Sequence, residues 1–248
     1  MLDLSSSLFL IHIPKTGGSS IEVAHGFTPN TKVPNRTHVL LRHQNARELF
    51  SYLEKNRINQ KITVFSIIRN AYDRIKSTYR HHLKSLDESG LGDQAQDYSF
   101  DQYVDTIRRF HESEGVSVHK ERVFRDEWPK FPAANFRHIQ TLNWWLEGLA
   151  DECIFLNFES LERDYNSKIS SQSGVKSIPR HNVTPKKYSS VSCEYGEETA
   201  NIISDIFGDE IIRFNMEKRA KVGDALRGGI SRRCRVAVNS LLRKGYAT

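Results

Sequence analysis

Apolar positions along this chain fall into short continuous runs that alternate with helix-spaced patterns, an order that reads as α/β. Leu8–Ile13 (LFLIHI) is an apolar run of strand length, as expected for a strand buried on both faces of a parallel sheet. Pro14–Gly18 cannot extend it. From Ser19 the residues (SSIEVAHGF) begin like a helix, with Ser19 and Glu22 at the spacing of a capping box. Residues 45–56 place Leu49, Phe50 and Leu53 on one helical face. Lys61–Ile68 (KITVFSII) is a second strand and feeds a helix rich in Tyr, Arg and His from Asn70 onward. Residues 87–97 read as an exposed loop. Helical patterns recur at 100–111 and 136–147, and a third strand at 152–158 is again followed by a helix. Residues 171–192 read as a Ser/Pro/Lys loop and 196–214 as one amphipathic helix. Repetition of strand, loop and helix predicts a parallel sheet flanked by helices, with a ligand at the C-terminal ends of its strands.

The 248 residues suffice for one domain with a sizeable core, and 38% hydrophobic with 27% charged residues is a globular rather than a disordered composition. No apolar run approaches the roughly 20 residues that span a bilayer, and the N-terminal stretch lacks the basic region of a signal peptide. Cys153, Cys193 and Cys234 are odd in number and widely spaced. They suggest neither a disulfide framework nor a zinc site, and fit a reducing, cytoplasmic setting. His81 and His82 are adjacent, so on a helix they face different ways and make a poor metal pair; no metal is expected.

The net charge of +6 is unevenly placed. Residues 217–248 hold nine Lys/Arg against Glu217 and Asp224, which leaves residues 1–216 nearly neutral. The division is therefore a domain over 1–216 and a basic tail over 217–248. In the tail Ile230, Cys234, Val238, Leu241 and Leu242 lie among arginines, the pattern of an amphipathic helix that rests on an anionic membrane surface or guides an acidic substrate. A frayed, solvated terminus fits the same composition.

Two segments carry chemistry. Pro14-Lys15-Thr16-Gly17-Gly18-Ser19-Ser20 joins the first strand to a helix. Glycines let the backbone turn so that N–H groups face an anion, Lys15 adds a charge, and Thr16, Ser19 and Ser20 add hydroxyls. The lysine precedes the glycines, unlike the GxxxxGK[ST] of ATPases and GTPases. Taken alone, the same residues make a tight turn between two elements. The second segment follows the second strand, with Arg69 at its end and Ser77 two helical turns on. Together they suit a phosphate, although a solvated, salt-bridged helix face has the same composition.

The pair is more specific than either part. A PKTGGSS loop followed by R-x-x-x-x-R-x-x-S-x-Y (Arg69, Arg74, Ser77, Tyr79) resembles the carbohydrate sulfotransferases that use 3′-phosphoadenosine 5′-phosphosulfate (PAPS). Among these, the heparan 2-O and chondroitin-type family and its bacterial relatives are most similar. Arg42-His43-Gln44-Asn45-Ala46-Arg47-Glu48-Leu49 resembles a further family segment, as do Ile139-Gln140-Thr141, Leu156–Asp164 and Pro179–Thr184. Ala71 stands where the family usually has proline, and Arg180-His181-Asn182-Val183 replaces a more usual Pro-His-Leu-Asn. The resemblance implies a P-loop-like parallel sheet flanked by helices, the sulfotransferase fold, and transfer of a sulfuryl group to a glycan or glycolipid hydroxyl without a metal.

By that resemblance the 14–20 loop cradles the 5′-phosphosulfate, with Lys15 stabilising the bridging oxygen and leaving phosphate. Arg69 and Ser77 hold the 3′-phosphate. His43 is the candidate base because it occupies the family's histidine position, and His38 is the second. Lys186 and Lys187 are candidates for closing over the nucleotide, a solvated lysine pair being the plainer reading. Trp144 and Trp145 belong to the core or to an acceptor cleft. The alternatives are a P-loop-like nucleotide kinase, disfavoured by the missing GK[ST], and a non-catalytic anion or nucleotide binder that works through its tail.

Overall fold

The structure is a computed structural model that describes residues 1–27, 38–39, 43–90, 99–112, 133–149, 151–181 and 184–216. The basic tail, most of the expected 87–97 loop and Asn182-Val183 lie outside the described residues. Five strands form one sheet: β1 (Leu2–Asp3), β2 (Leu8–Ile11), β3 (His38–Val39), β4 (Thr63–Ile68) and β5 (Ile154–Asn157), in the order β3-β1-β2-β4-β5. The three strands expected from sequence are the parallel ones, with Leu10 beside Phe65 and Phe65 beside Ile154. The sheet is nevertheless mixed. β1 runs antiparallel to both β2 and β3, which corrects the expectation of a purely parallel sheet. Asp3 turns the β1–β2 hairpin by accepting hydrogen bonds from the hydroxyls of Ser5 and Ser6, each at 2.6 Å.

Alternate residues of β2 face opposite layers, as the two-residue period of a strand requires. Leu8 and Leu10 pack with Phe65, Ile67 and Leu156 against Ile21 of α1 (Gly18–Ala24) and Tyr165 of α6 (Leu161–Lys168). Phe9 and Ile11 pack on the other face against Leu49 of α2 (Ala46–Lys55) and Trp145 of α5 (Leu142–Leu146). A third cluster joins α3 (Ala71–Glu88), α4 (Phe100–Glu112) and α9 (Glu197–Ile206) around Tyr72, Ile75, Tyr79, Tyr103 and Ile203. Burying five such side chains contributes on the order of 10 kcal/mol before entropy is charged against it.

Several predicted elements end differently. Residues 136–147 are not one helix: a 3₁₀ segment (Ala133–Ile139) stops and α5 restarts, with the Thr141 side chain accepting from the Trp144 N–H. The 196–214 helix divides at Phe207 into α9 and α10 (Gly208–Arg213). The 171–192 loop contains the end of α7 (Ser170–Ser173) and all of α8 (Lys186–Ser189).

Candidate functional site

The C-terminal ends of β2, β4 and β5 meet at one corner, and each delivers a side chain to it. After β2 the chain enters the 14–20 loop through two residues in the left-handed region, Lys15 at φ 66° and Gly17 at φ 93°. That conformation is easy for glycine and costs a lysine about 1 kcal/mol or more. A Cβ on Gly17 would stand 3.1 Å from the Phe158 ring, and one on Gly18 only 2.3–2.6 Å from the His12 imidazole. Gly18 is therefore required for close approach: the first turn of α1 lies directly on the His12 ring. Thr16 donates its hydroxyl to the Ile13 carbonyl at 2.7 Å, so it fastens the loop rather than offering that proton to a ligand. The Ser20 hydroxyl accepts from the His181 N–H at 3.1 Å, tying the late segment to the loop. Ser19 is half-buried beside them.

The expected Ser19–Glu22 capping box does not form. α1 is capped by the Gly17 backbone without a side-chain bond. Glu22 turns inward to full burial, its Oε1 lying 2.7 Å from His12 Nδ1. The capping box in this region belongs to α2, where Asn45 and Glu48 bond each other's backbone N–H groups at 3.0 and 2.8 Å.

Arg69, at the end of β4, donates from Nη1 to the Lys15 carbonyl at 3.0 Å and stacks over Phe158 with 4.3 Å to the ring centroid. Its Nε is buried with no hydrogen-bond partner among the described residues. Burial depresses the Arg69 pKa, while Asp73 and Glu159 pull the other way. Burial, assisted by the charges of Arg69 and Lys84, lowers Lys15 from 10.5 to about 8. Two cations thus converge in a partly dehydrated corner, an arrangement that an anion relieves. Ser77 stands half-buried on α3. Arg80, three residues further on, was not singled out by sequence; it donates to the Val191 carbonyl at 3.1 Å and also buries an Nε without a partner among the described residues. Its spacing from Ser77, one helical turn on the same face, was the available signal.

Histidines line the other side of the loop. His43, at φ 55°, lies with its ring 4.6 Å from that of His12, and its Nδ1 is 3.1 Å from the His12 carbonyl. A carbonyl only accepts, so Nδ1 carries the proton and the lone pair is on Nε2. Among the described residues the other non-glycine positions with positive φ, Ser7, Arg57, Glu147 and Asn215, turn the hairpin or follow helices. Lys15 and His43 are those at the site. Arg137 holds the His43 segment from outside. It donates to the His43 carbonyl and, in a bidentate pair at 2.7 and 2.8 Å, to the Glu48 carboxylate. That pairing and the backbone bond lower the Glu48 pKa against the effect of burial.

His138 and His81 extend the cluster, with ring separations of 5.9 Å (His43–His138) and 5.3 Å (His138–His81). Burial, reinforced by the neighbouring imidazoles and Lys15, holds the His138 pKa well below 6.5, and burial with the charges of Lys15 and Lys84 lowers His81 to about 4. His82 faces away, stacked on Tyr103, as its adjacency to His81 requires.

The remaining candidates are dispersed. His38 lies on edge strand β3. Lys186 and Lys187 are exposed at the start of α8, and Lys187 pairs with Asp87 at 2.7 Å at the far end of α3. Trp145 is fully buried core, whereas Trp144 is half-buried and packs against Arg137. Arg74, the inner arginine of the second motif, is structural: it is 2% exposed, paired with Glu210 at 2.8 Å, and donates to the Gln140 carbonyl at 3.1 Å.

Comparisons with protein-family models, with curated proteins and with solved structures each give no match for this chain. Among the described residues no helix is long and apolar enough to cross a membrane, and no group of three or more His, Cys, Asp or Glu is arranged to hold a metal ion.

Proposed function

We propose that the chain is a sulfotransferase that moves a sulfuryl group from PAPS to a hydroxyl of a glycan or glycolipid. The observation that carries this reading is the Lys15–Arg69 corner: cations that follow adjacent parallel strands, 54 residues apart in sequence, with a buried guanidinium Nε that lacks a partner among the described residues. These residues fit a donor with two anionic ends. The 14–20 loop and Lys15 would hold the phosphosulfate end, and Arg69 with Ser77 the 3′-phosphate. When bound, the donor supplies an activated sulfuryl group and leaves as 3′-phosphoadenosine 5′-phosphate (PAP). Fixed donors and one lysine suffice for such a transfer, because the moving group develops little charge. His43 serves as base, its Nε2 lone pair set by the Nδ1 contact to the His12 carbonyl.

Calorimetry with PAP and a cofactor-dependent radiolabelled-sulfate assay, run against a panel of glycans and lipid-linked sugars, test the reading. Lys15→Ala and Arg69→Ala are expected to abolish PAP binding, and His43→Ala to depress turnover far more than affinity. No PAP binding by the intact chain, or full activity in the lysine and arginine variants, overturns it. Magnesium-dependent ATP turnover would instead mark a nucleotide kinase. The same proposal gives the tail, residues 217–248, a peripheral place at an anionic membrane surface. Vesicle binding that survives truncation after residue 216 removes that part.

A further inference from the structure

Glu22 is buried to 0% exposure, and its carboxylate lies 2.7 Å from the Nδ1 of His12. His12 is itself 3% exposed. On the other side of the same residue, the His12 carbonyl takes the Nδ1–H of His43 at 3.1 Å, with the two rings 4.6 Å apart. A carboxylate, an imidazole and a second imidazole, its ring tilted against the first, thus lie in order from the interior toward the site. Near His43 stands a fixed cation: Arg137 donates to the His43 carbonyl, with the Glu48 carboxylate of α2 already chelated by the same guanidinium, while His138, its ring 5.9 Å from that of His43, is held neutral by burial. A base in such surroundings resists taking up a proton unless a negative charge lies behind it.

We propose that Glu22 is a positioning residue for the base: by anchoring the His12 imidazole it holds in place the backbone carbonyl that fixes the His43 tautomer, and it supplies the counter-charge for the imidazolium formed at His43 Nε2. In the transfer step the acceptor O–H bond breaks and its proton passes to Nε2, while the acceptor oxygen bonds to sulfur and the bridging S–O bond of PAPS breaks. Glu22 touches none of these atoms. The inference rests on the sulfotransferase reading for its catalytic consequence, but its electrostatic part is measurable without turnover.

The test is histidine NMR on the full chain, with transfer kinetics alongside. In the unmodified protein, long-range ¹H–¹⁵N correlation is expected to show His43 protonated at Nδ1 at neutral pH; an Nε2–H tautomer overturns the proposal, and this measurement needs no variant. Glu22→Gln, nearly isosteric, is expected to lower the His43 pKa by about one pH unit, the effect of a full charge one ring away at an effective dielectric near 20. The acid limb of kcat/KM should move down by the same amount and kcat should fall about tenfold, with PAP affinity within twofold of the parent. A His43 titration and acid limb that do not move overturn the proposal even if turnover drops, since a purely structural lesion would lower activity without shifting either. Absence of any sulfuryl transfer by the parent protein would instead remove the sulfotransferase reading, and the NMR titration would still decide the role of Glu22.

Discussion

Gly18→Ala is the sharpest probe of the loop, because the local structure reverses the usual sign of the substitution. At an open helical position alanine stabilises relative to glycine by up to about 1 kcal/mol. Here the added Cβ would lie 2.3 Å from His12 Cδ2 and 2.6 Å from Cγ and Nε2, where ordinary contact begins near 3.4 Å. The ring would have to retreat by about 1 Å, which takes its Nδ1 beyond hydrogen-bond reach of the buried Glu22 carboxylate. Overpacking costs about 1–3 kcal/mol and separating a buried pair up to about 3–5 kcal/mol. A net loss of about 2–4 kcal/mol is expected, which for a chain of this length lowers Tm by about 5–15 °C. Thermal and urea unfolding followed by circular dichroism measure it. Gly196→Ala is the control: its Cβ meets Thr199 Oγ1 at an unstrained 3.8 Å, and the expected change is about 1 kcal/mol or less. A Gly18→Ala protein that melts at or above the parent refutes the packing of α1 on His12.

Other perturbations follow from the same geometry. Lys15 holds its proton less tightly when folded, with a pKa of about 8 against 10.5. The unfolded chain therefore binds the extra proton, and stability attributable to Lys15 should rise between about pH 8 and 10.5. The difference in urea midpoint between the parent and Lys15→Met, followed across that range, should show the rise, and parallel pH curves would contradict it. Burial lowers His82 from 6.5 to about 3, so its neutral form supports the fold until acid is added. Stability should fall as pH drops from 6.5 toward 3, with a shallower fall in His82→Gln; equal slopes would show that His82 is not responsible. Glu210→Ala leaves the buried Arg74 guanidinium without its carboxylate and should cost about 3–5 kcal/mol in chemical denaturation. A loss below about 1 kcal/mol would show that the pair is not buried as described.

What could be read from the chain depended on whether a residue's neighbours were local. The strands β2, β4 and β5 were legible because Leu8–Ile11, Thr63–Ile68 and Ile154–Asn157 are compact apolar runs bounded by turn residues. The two-residue strands β1 and β3 are too short to show any period, so the antiparallel edge was missed. Ser19–Glu22 and Asn45–Glu48 share one spacing, yet only the second is a capping box. The spacing does not say which face of the helix the glutamate occupies, and His12, ten residues away, draws Glu22 inward. Arg69 and Lys15 lie in separate motifs, while the bond from the Arg69 guanidinium to the Lys15 carbonyl is a product of strand order. Arg137 and His138 were hidden inside a predicted helix. Their roles depend on the break before Thr141 and on bonds to residues about ninety positions earlier, which no local pattern encodes.

The strand order also has a consequence for how the protein comes to exist. Arg69 reaches a carbonyl 54 residues back, His43 one 31 residues back, and the His181 N–H a hydroxyl 161 residues back. The Lys15–Arg69 corner therefore exists only where β2 and β4 are paired. Long-range contacts of this kind close slowly, and any ligand that binds only the folded form stabilises it by RT ln(1 + [L]/Kd). If PAP binds at this corner, ligand-dependent protection against proteolysis is expected to appear together in β2, β4 and the helices packed on them rather than to spread from the loop outward.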